Sequence, residues 1–186
     1  MNHWRAILLW GGMILALAVV NRGIVQRERV LDEGHVVLLE LTPVDPRSLM
    51  QGDYMALRFA VADQIYETLH PPSKDAGTAA ALLRIGTFGG RRHTVNSDGY
   101  VVLVIDRDGV GRFVRLQKAT TPLRAGEVVA YYRERDWRQI IIASNAWFFA
   151  DGHGQRYAGA RYGEFRVAKD GTALLVGLRD AERKPL

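Results

Sequence analysis

The sequence predicts a mainly β (α+β) protein: an N-terminal transmembrane helix, then a β-barrel or β-sandwich domain of about eight strands with one or two short helices. Three observations carry that prediction. Residues 6–20, AILLWGGMILALAVV, hold no charge in fifteen positions. Asp-Gly recurs at 98–99, 108–109, 151–152 and 170–171, each time beside β-prone runs, and such dipeptides suit the positive-φ turns of hairpins. Helical spacing between polar and apolar residues is clear in one stretch of the remainder, 62–72.

The 186 residues are enough for one filled core with a membrane segment left over. Charged residues make up 24% and the net charge is +5. Arginine carries most of it, since Lys occurs only at 74, 118, 169 and 184. Acids are interspersed, as in Arg133-Glu134-Arg135-Asp136, so the basic balance reads as a solvated mixed surface and not as a nucleic-acid site. Cysteine is absent, which removes disulfides, thiolate metal sites and a Cys nucleophile together.

As a helix, 6–20 spans roughly 22 Å, and continuing to Val25 reaches about 30 Å, the thickness of a hydrocarbon core, if Arg22 snorkels. Residues 6–25 are therefore read as an uncleaved anchor. The competing reading is a signal peptide cut near Ala16-Leu17-Ala18, against which the apolar run continues through Val19 and Val20. Arg22, Arg27 and Arg29 follow the segment, which by the positive-inside rule favours a cytoplasmic domain. A short basic tail before an apolar segment instead resembles an export signal, and large domains cross largely regardless of charge. The expectation is a single-pass protein of the inner (cytoplasmic) membrane with its domain outside the cytoplasm.

Residues 21–34 read as a polar linker. The β-rich domain is placed at 35–178. HVVLLEL, 35–41, is its first strand, and Pro43 and Pro46 interrupt pairing after it. DYMALRFAV, 53–61, is the second, with Met55, Leu57, Phe59 and Val61 on the core face. A helix follows over 62–72, ended by Pro71 and Pro72. Residues 73–92 mix an Ala-Leu run with Gly77, Gly86, Gly89 and Gly90 and read as a short helix or strand plus a loop. Residues 100–116 and 163–178 are hairpins; 127–134 and 140–149 are strands between them. Residues 179–186 are a polar tail. VVLLEL…SLMQGDYMALRF faintly echoes VVLVID…PLRAGEVVAYYR, aligning Gly52-Asp53 with Gly126-Glu127.

Gly52-Asp53-Tyr54 has a local explanation. Glycine permits a tight turn, the Asp carboxylate can accept backbone N–H groups, and Tyr54 opens the strand. The surrounding residues also carry a resemblance. VDPRSLMQGDYMALRF, with WFFADGHGQRYAGARYGEFRVAKDGTALLVGL, resembles the GDYxxLxY family of membrane-anchored bacterial proteins. The motif here runs from Gly52 through Leu57 to Phe59, with Phe where the family pattern ends in Tyr. Tyr157, Ala160, Tyr162, Gly163 and Leu178 follow in the family's order. The resemblance implies a single-span protein with one β-rich domain, often encoded beside polytopic membrane proteins, and it implies no activity.

Specific chemistries find little purchase. A Ser-Lys protease would want its nucleophile eight residues before Gly52, where Val44 stands; Ser48 is misplaced, and Lys74 and Lys118 sit in polar contexts. A carboxylate hydrolase could use Asp45, Asp53 and Glu164, although Asp45 equally suits an Asx turn or a pair with Arg47. His35, His70, His93 and His153 are dispersed without metal-ligand spacing. GTFGG lacks the lysine and helix of a phosphate loop. Tyr131-Tyr132-Arg133 with Arg135 and Trp137-Arg138 is the nearest approach to a nucleic-acid surface and reads better as a strand edge.

The sequence-level expectation is an accessory or binding protein with no identifiable catalytic residues, cofactor or metal. Its partners are the lipid bilayer and a polytopic membrane protein, with no nucleic acid. Asp45, Arg47, Asp53, Tyr54, Tyr162 and Glu164 form the hypothesised contact, and Gly52, Leu57, Phe59 and Gly163 the structural motif. The alternative is an envelope hydrolase using carboxylates near Asp53 and Glu164.

Overall fold

The computed structural model describes residues 3–42, 54–71, 97–120, 123–135 and 139–186. Among the described residues, an apolar N-terminal helix leads into a β-rich domain with nine strands in three sheets and few helices. Helix α1 runs over His3–Glu33. Its stretch Ile7–Glu33 is long and apolar enough to cross a membrane, and its most apolar window is left uncovered by the described residues. The expected linker over 21–34 is a continuation of this helix. It holds no Pro, its stretch Gln26-Arg27-Glu28-Arg29 is made of good helix formers, and Gly23 is tolerated within the helix. Gly34 closes the helix by donating its N–H to the Val30 carbonyl (3.1 Å). A Cβ there would collide with that same carbonyl oxygen.

Strand β1 is His35–Glu40, β2 is Tyr54–Ala56, and helix α2 is Ala60–Leu69. Then come β3 (Asp98–Ile105), β4 (Gly111–Gln117), β5 (Glu127–Arg135), β6 (Gln139–Ile142) and β7 (Ala146–Phe148). A one-turn helix α3 (Gly154–Tyr157), β8 (Tyr162–Val167) and β9 (Ala173–Arg179) complete the order. The second strand is shorter than the sequence suggests. The alternation holds through Phe59, with Met55, Leu57 and Phe59 buried, but the backbone turns helical at Ala60 and Val61 reaches the core from α2. Asp98-Gly99 begins β3 and makes no turn. The other three Asp-Gly steps are turns with Gly109, Gly152 and Gly171 at φ of 80°, 78° and 87°. Those at 109 and 171 close the β3–β4 and β8–β9 hairpins, whereas the one at 152 leads into α3. The run 140–149 is two strands, because Ala143 turns the chain at φ 58°. Residues 73–92 lie outside the described residues.

The sheets are ordered β1-β8-β9, β2-β7 and β4-β3-β5-β6, all antiparallel within themselves. Single bridges tie them together. The Leu38 N–H donates to the Gly109 carbonyl (2.9 Å) and the Tyr131 N–H to the Gly171 carbonyl (2.8 Å), so each long hairpin docks its turn on the neighbouring sheet. Leu41 pairs with Phe59. One core fills the interior, with Val37, Leu39, Phe59, Ile65, Leu103, Ile142, Phe165 and Leu178 among its most buried members. The suggested internal echo is not reproduced in pairing: β3 pairs along its length with β5, whereas β1 pairs with β8 and meets the second segment at Leu41–Phe59. Residues 179–186 are polar, yet they fold back. Pro185 bridges Arg179, the Leu186 N–H donates to the Leu178 carbonyl (3.0 Å), and Leu186 packs on the core.

Candidate functional site

The two blocks that stand out in the sequence meet in the interior. Thr42 donates its N–H to the Arg58 carbonyl (2.8 Å), which brings Phe59 beside β1. The Phe59 ring then packs edge-on against Phe165, with centroids 5.2 Å apart. Its neighbour across the strand is Gly163: a Cβ there would stand 2.8 Å from Phe59 Cε1 and 3.1 Å from Phe165 Cε2. Leu57 is buried, and its N–H donates to the Asn145 carbonyl (2.7 Å). Arg58, pointing the other way, donates from Nε (3.0 Å) and Nη2 (2.6 Å) to Asp63 Oδ1. Thr42 Oγ1 donates to the other Asp63 oxygen (3.1 Å). Asp63 sits in the first turn of α2, where a carboxylate also complements the helix dipole. The motif therefore locks the start of α2 to the end of β1.

The candidate contact residues are distributed around this lock. Tyr54 opens β2 opposite Phe148 of β7, and their rings stack at a tilt with centroids 5.8 Å apart. Phe148 is 73% exposed and Tyr54 39%, so the pair forms an aromatic edge open to solvent. Tyr162 and Glu164 lie on one face of β8, two residues apart. Glu164 accepts from Arg179 Nε at 2.8 Å, and Arg179 Nη1 donates in turn to the Arg183 carbonyl (2.7 Å). That carboxylate is committed to holding β9 and the folded-back C-terminus. Asp45, Arg47, Gly52 and Asp53 lie outside the described residues. What joins the two blocks is thus Phe59 and Gly163, while Tyr54 and Glu164 stand on different sheets.

A polar pair that sequence reading passed over lies at the far end of α2. Glu134 is the one buried charged residue among the described residues. Its Oε1 stands 2.6 Å from His70 Nε2, its Oε2 has no partner among the described residues, and its N–H donates to the Ser97 carbonyl (2.9 Å). The Tyr66 ring covers His70 at 4.6 Å. Beside them the Tyr132 phenol is pushed up, mainly by burial, with further contributions from Glu134 and Asp98. The signal for Glu134 was present: Val128, Ala130, Tyr132 and Glu134 share the inward parity of β5. The signal for its partner was not, because His70 follows a helix end and its position depends on how α2 crosses the sheet.

A second tight ion pair ties β4 to β5. Arg115 donates from Nη1 (2.7 Å) and Nη2 (2.9 Å) to the two Glu127 oxygens, and the Arg124 N–H donates to Oε2 (3.0 Å). The Arg115 guanidinium, first, and the Arg124 N–H hold the Glu127 carboxyl down at about 2. Glu127 follows Gly126, which takes φ 81°. No group of three or more His, Cys, Asp or Glu side chains arranged to hold a metal ion occurs among the described residues.

No curated protein and no solved structure matches the chain. A family model described as GDYXXLXY protein matches residues 16–178, which takes in the second half of α1, the motif from Gly52 to Phe59 and the final hairpin through Leu178. The chain belongs to the GDYXXLXY protein family.

Proposed function

We propose that this is a single-span protein of the bacterial inner membrane whose β domain stands outside the cytoplasm and binds a polytopic membrane protein as an accessory subunit. The observation that carries the reading is the Tyr54–Phe148 edge. Two aromatic rings lie exposed on a short two-stranded sheet, one of them the motif's own Tyr54. Aromatic residues are enriched in protein interfaces and among the residues that anchor them, and two in contact offer such an anchor. The bare apolar surface of α1 supports the membrane part of the reading. The hydrolase alternative loses support at Glu164, whose carboxylate is taken up by Arg179.

The test is capture from native membranes. Full-length protein is crosslinked, solubilised gently and purified alongside Tyr54→Ser/Phe148→Ser, whose rings contribute little to the core. A polytopic protein retained by the wild type and lost by the folded variant supports the accessory role. Equal retention by both moves the contact elsewhere. Topology is read separately from a single Cys at Asp108, in the exposed β3–β4 turn. Labelling of intact cells by an impermeant maleimide is expected, and protection would place the domain in the cytoplasm.

A further inference from the structure

We infer that the base of the β domain rests on the phosphate layer of the bilayer, held there by Arg27, Arg29 and Lys169, so that helix and domain move as one body. The inference rests on the membrane-anchored reading and adds the position of the domain. Its starting point is the missing linker. Helix α1 runs unbroken to Glu33 and is fastened to the domain over its last turn. Val30 is buried, the Gly34 N–H returns to the Val30 carbonyl, and Arg166 Nη1 donates to the Gly34 carbonyl (3.3 Å). Gly34 itself is pressed against β8, where a Cβ would stand 3.2 Å from the Val167 N and 3.3 Å from the Arg166 Cβ. There is no slack between membrane segment and domain.

Length then fixes the height. At about 1.5 Å per residue, a hydrocarbon core of about 30 Å entered at Ile7 is left at Arg27. Val30, already seated on the domain, is about 4.5 Å further on. If Arg22 marks the exit instead, Val30 stands about 12 Å beyond it. A headgroup layer is roughly 6 Å thick on each side, so the domain's base is within that layer or immediately above it. Tilting the helix only lowers it.

The charges at that level suit phosphodiesters. Arg27 and Arg29 are exposed on α1 just before the docked turn. Lys169 is exposed on the β8–β9 turn, which follows Val167, and Val167 pairs with His35 at the domain's base. Acids stand among them, Glu28 between the two arginines and Asp170 beside Lys169. Asp32 and Glu33 are further out along the helix, and Asp170 turns its Oδ1 to the Thr172 N–H (2.9 Å). Glu28 shares the level of the arginines and leaves a cationic excess there. Arginine and lysine at such a position reach phosphate oxygens while their stems lie along apolar surface.

The experiment uses full-length protein in phosphatidylcholine/phosphatidylglycerol nanodiscs. A single Cys replaces His35, an exposed residue at the base, in a chain that has no other cysteine, and it carries a fluorophore. The quencher is a phosphatidylcholine with a spin label on its headgroup. The expected result is loss of most of the fluorescence in the wild-type background, and recovery of much of it in Arg27→Gln/Arg29→Gln/Lys169→Gln. Full fluorescence in inserted wild-type protein overturns the placement of the domain. Equal quenching in the triple variant overturns the role of the three cations. Protein that carbonate washes off vesicles overturns the anchor reading, and this inference with it.

Discussion

Phe59 occupies the space that a side chain at position 163 would need. A Cβ on Gly163 would stand 2.8 Å from Phe59 Cε1, 3.1 Å from Phe165 Cε2 and 3.2 Å from Leu175 Cδ1, all in the core. Gly163→Ala therefore overpacks a site closed by two aromatic rings and should cost about 1–3 kcal/mol. The thermal midpoint should fall by about 2–4 °C for each kcal/mol in a domain of this size. Phe59→Leu also destabilises alone, by opening a cavity. Combined with Gly163→Ala it should cost less than the sum, because the smaller side chain gives the new methyl room. Strict additivity in a denaturant double-mutant cycle would mean that the two positions are not in contact.

The Arg115–Glu127 pair makes stability depend on acid. Glu127 is held at about 2 against an ordinary value of 4.5, chiefly by the guanidinium it accepts from. A depressed carboxyl contributes stability that is complete above 4.5 and is lost as the pH falls toward 2. Asp106 adds to the same slope, its carboxyl lowered first by the Val110 N–H (2.9 Å). Glu127→Gln should lower the melting temperature at pH 7 and flatten its decline between about pH 4.5 and 2. A variant with an unchanged acid slope would show that the pair does not form in solution.

His70 and Glu134 should be coupled. Removing the imidazole leaves a carboxylate that is over nine-tenths buried without its one close donor among the described residues. An unsatisfied buried acceptor costs about 1–3 kcal/mol, more when charged. His70→Ala should therefore destabilise more than His70→Ala/Glu134→Gln, whose second change removes the stranded charge. Chemical denaturation of the three variants gives the coupling. A double variant weaker than His70→Ala would mean that Glu134 is satisfied by another group.

The fold was legible where local physics decides it. A β-branched, apolar run identified β1, and Asp-Gly steps at 109 and 171 marked the two long hairpins, because a two-residue turn and its flanking strands are contiguous in sequence. Sites that depend on tertiary contact were not legible. Glu164 sits in the expected hairpin and Tyr162 just before its expected start, but Glu164 faces Arg179, which lay in a segment with no pattern of its own. Phe59 and Gly163 were both recognised as motif residues. Their mutual contact needs the Leu41–Phe59 bridge, which no periodicity announces. The end of α1 was misplaced because polarity at 21–34 resembles a linker, whereas the helix continues through it and seats Val30 on the domain, a tertiary contact that local polarity does not announce.

The C-terminus provides the sharpest test of that last kind of error, polarity taken for disorder. Asp180 Oδ1 accepts the Lys184 N–H (2.8 Å), the Asp180 N–H donates to the Lys184 carbonyl (3.0 Å), and Arg183 takes φ 65° to close the turn. Leu186 lands on the core beside Leu178. Ending the chain at Arg179 removes all of this and the carbonyl of Arg183 that steadies the Arg179 guanidinium. The loss of a partly buried leucine and several hydrogen bonds should cost about 1–3 kcal/mol. Asp180→Ala, which deletes the turn's side-chain acceptor, should show part of the effect, and Lys184→Ala, which keeps the backbone bonds, almost none. Guanidinium unfolding of the full-length protein and the three variants distinguishes these. A truncated chain as stable as the whole would return residues 180–186 to the status of a tail.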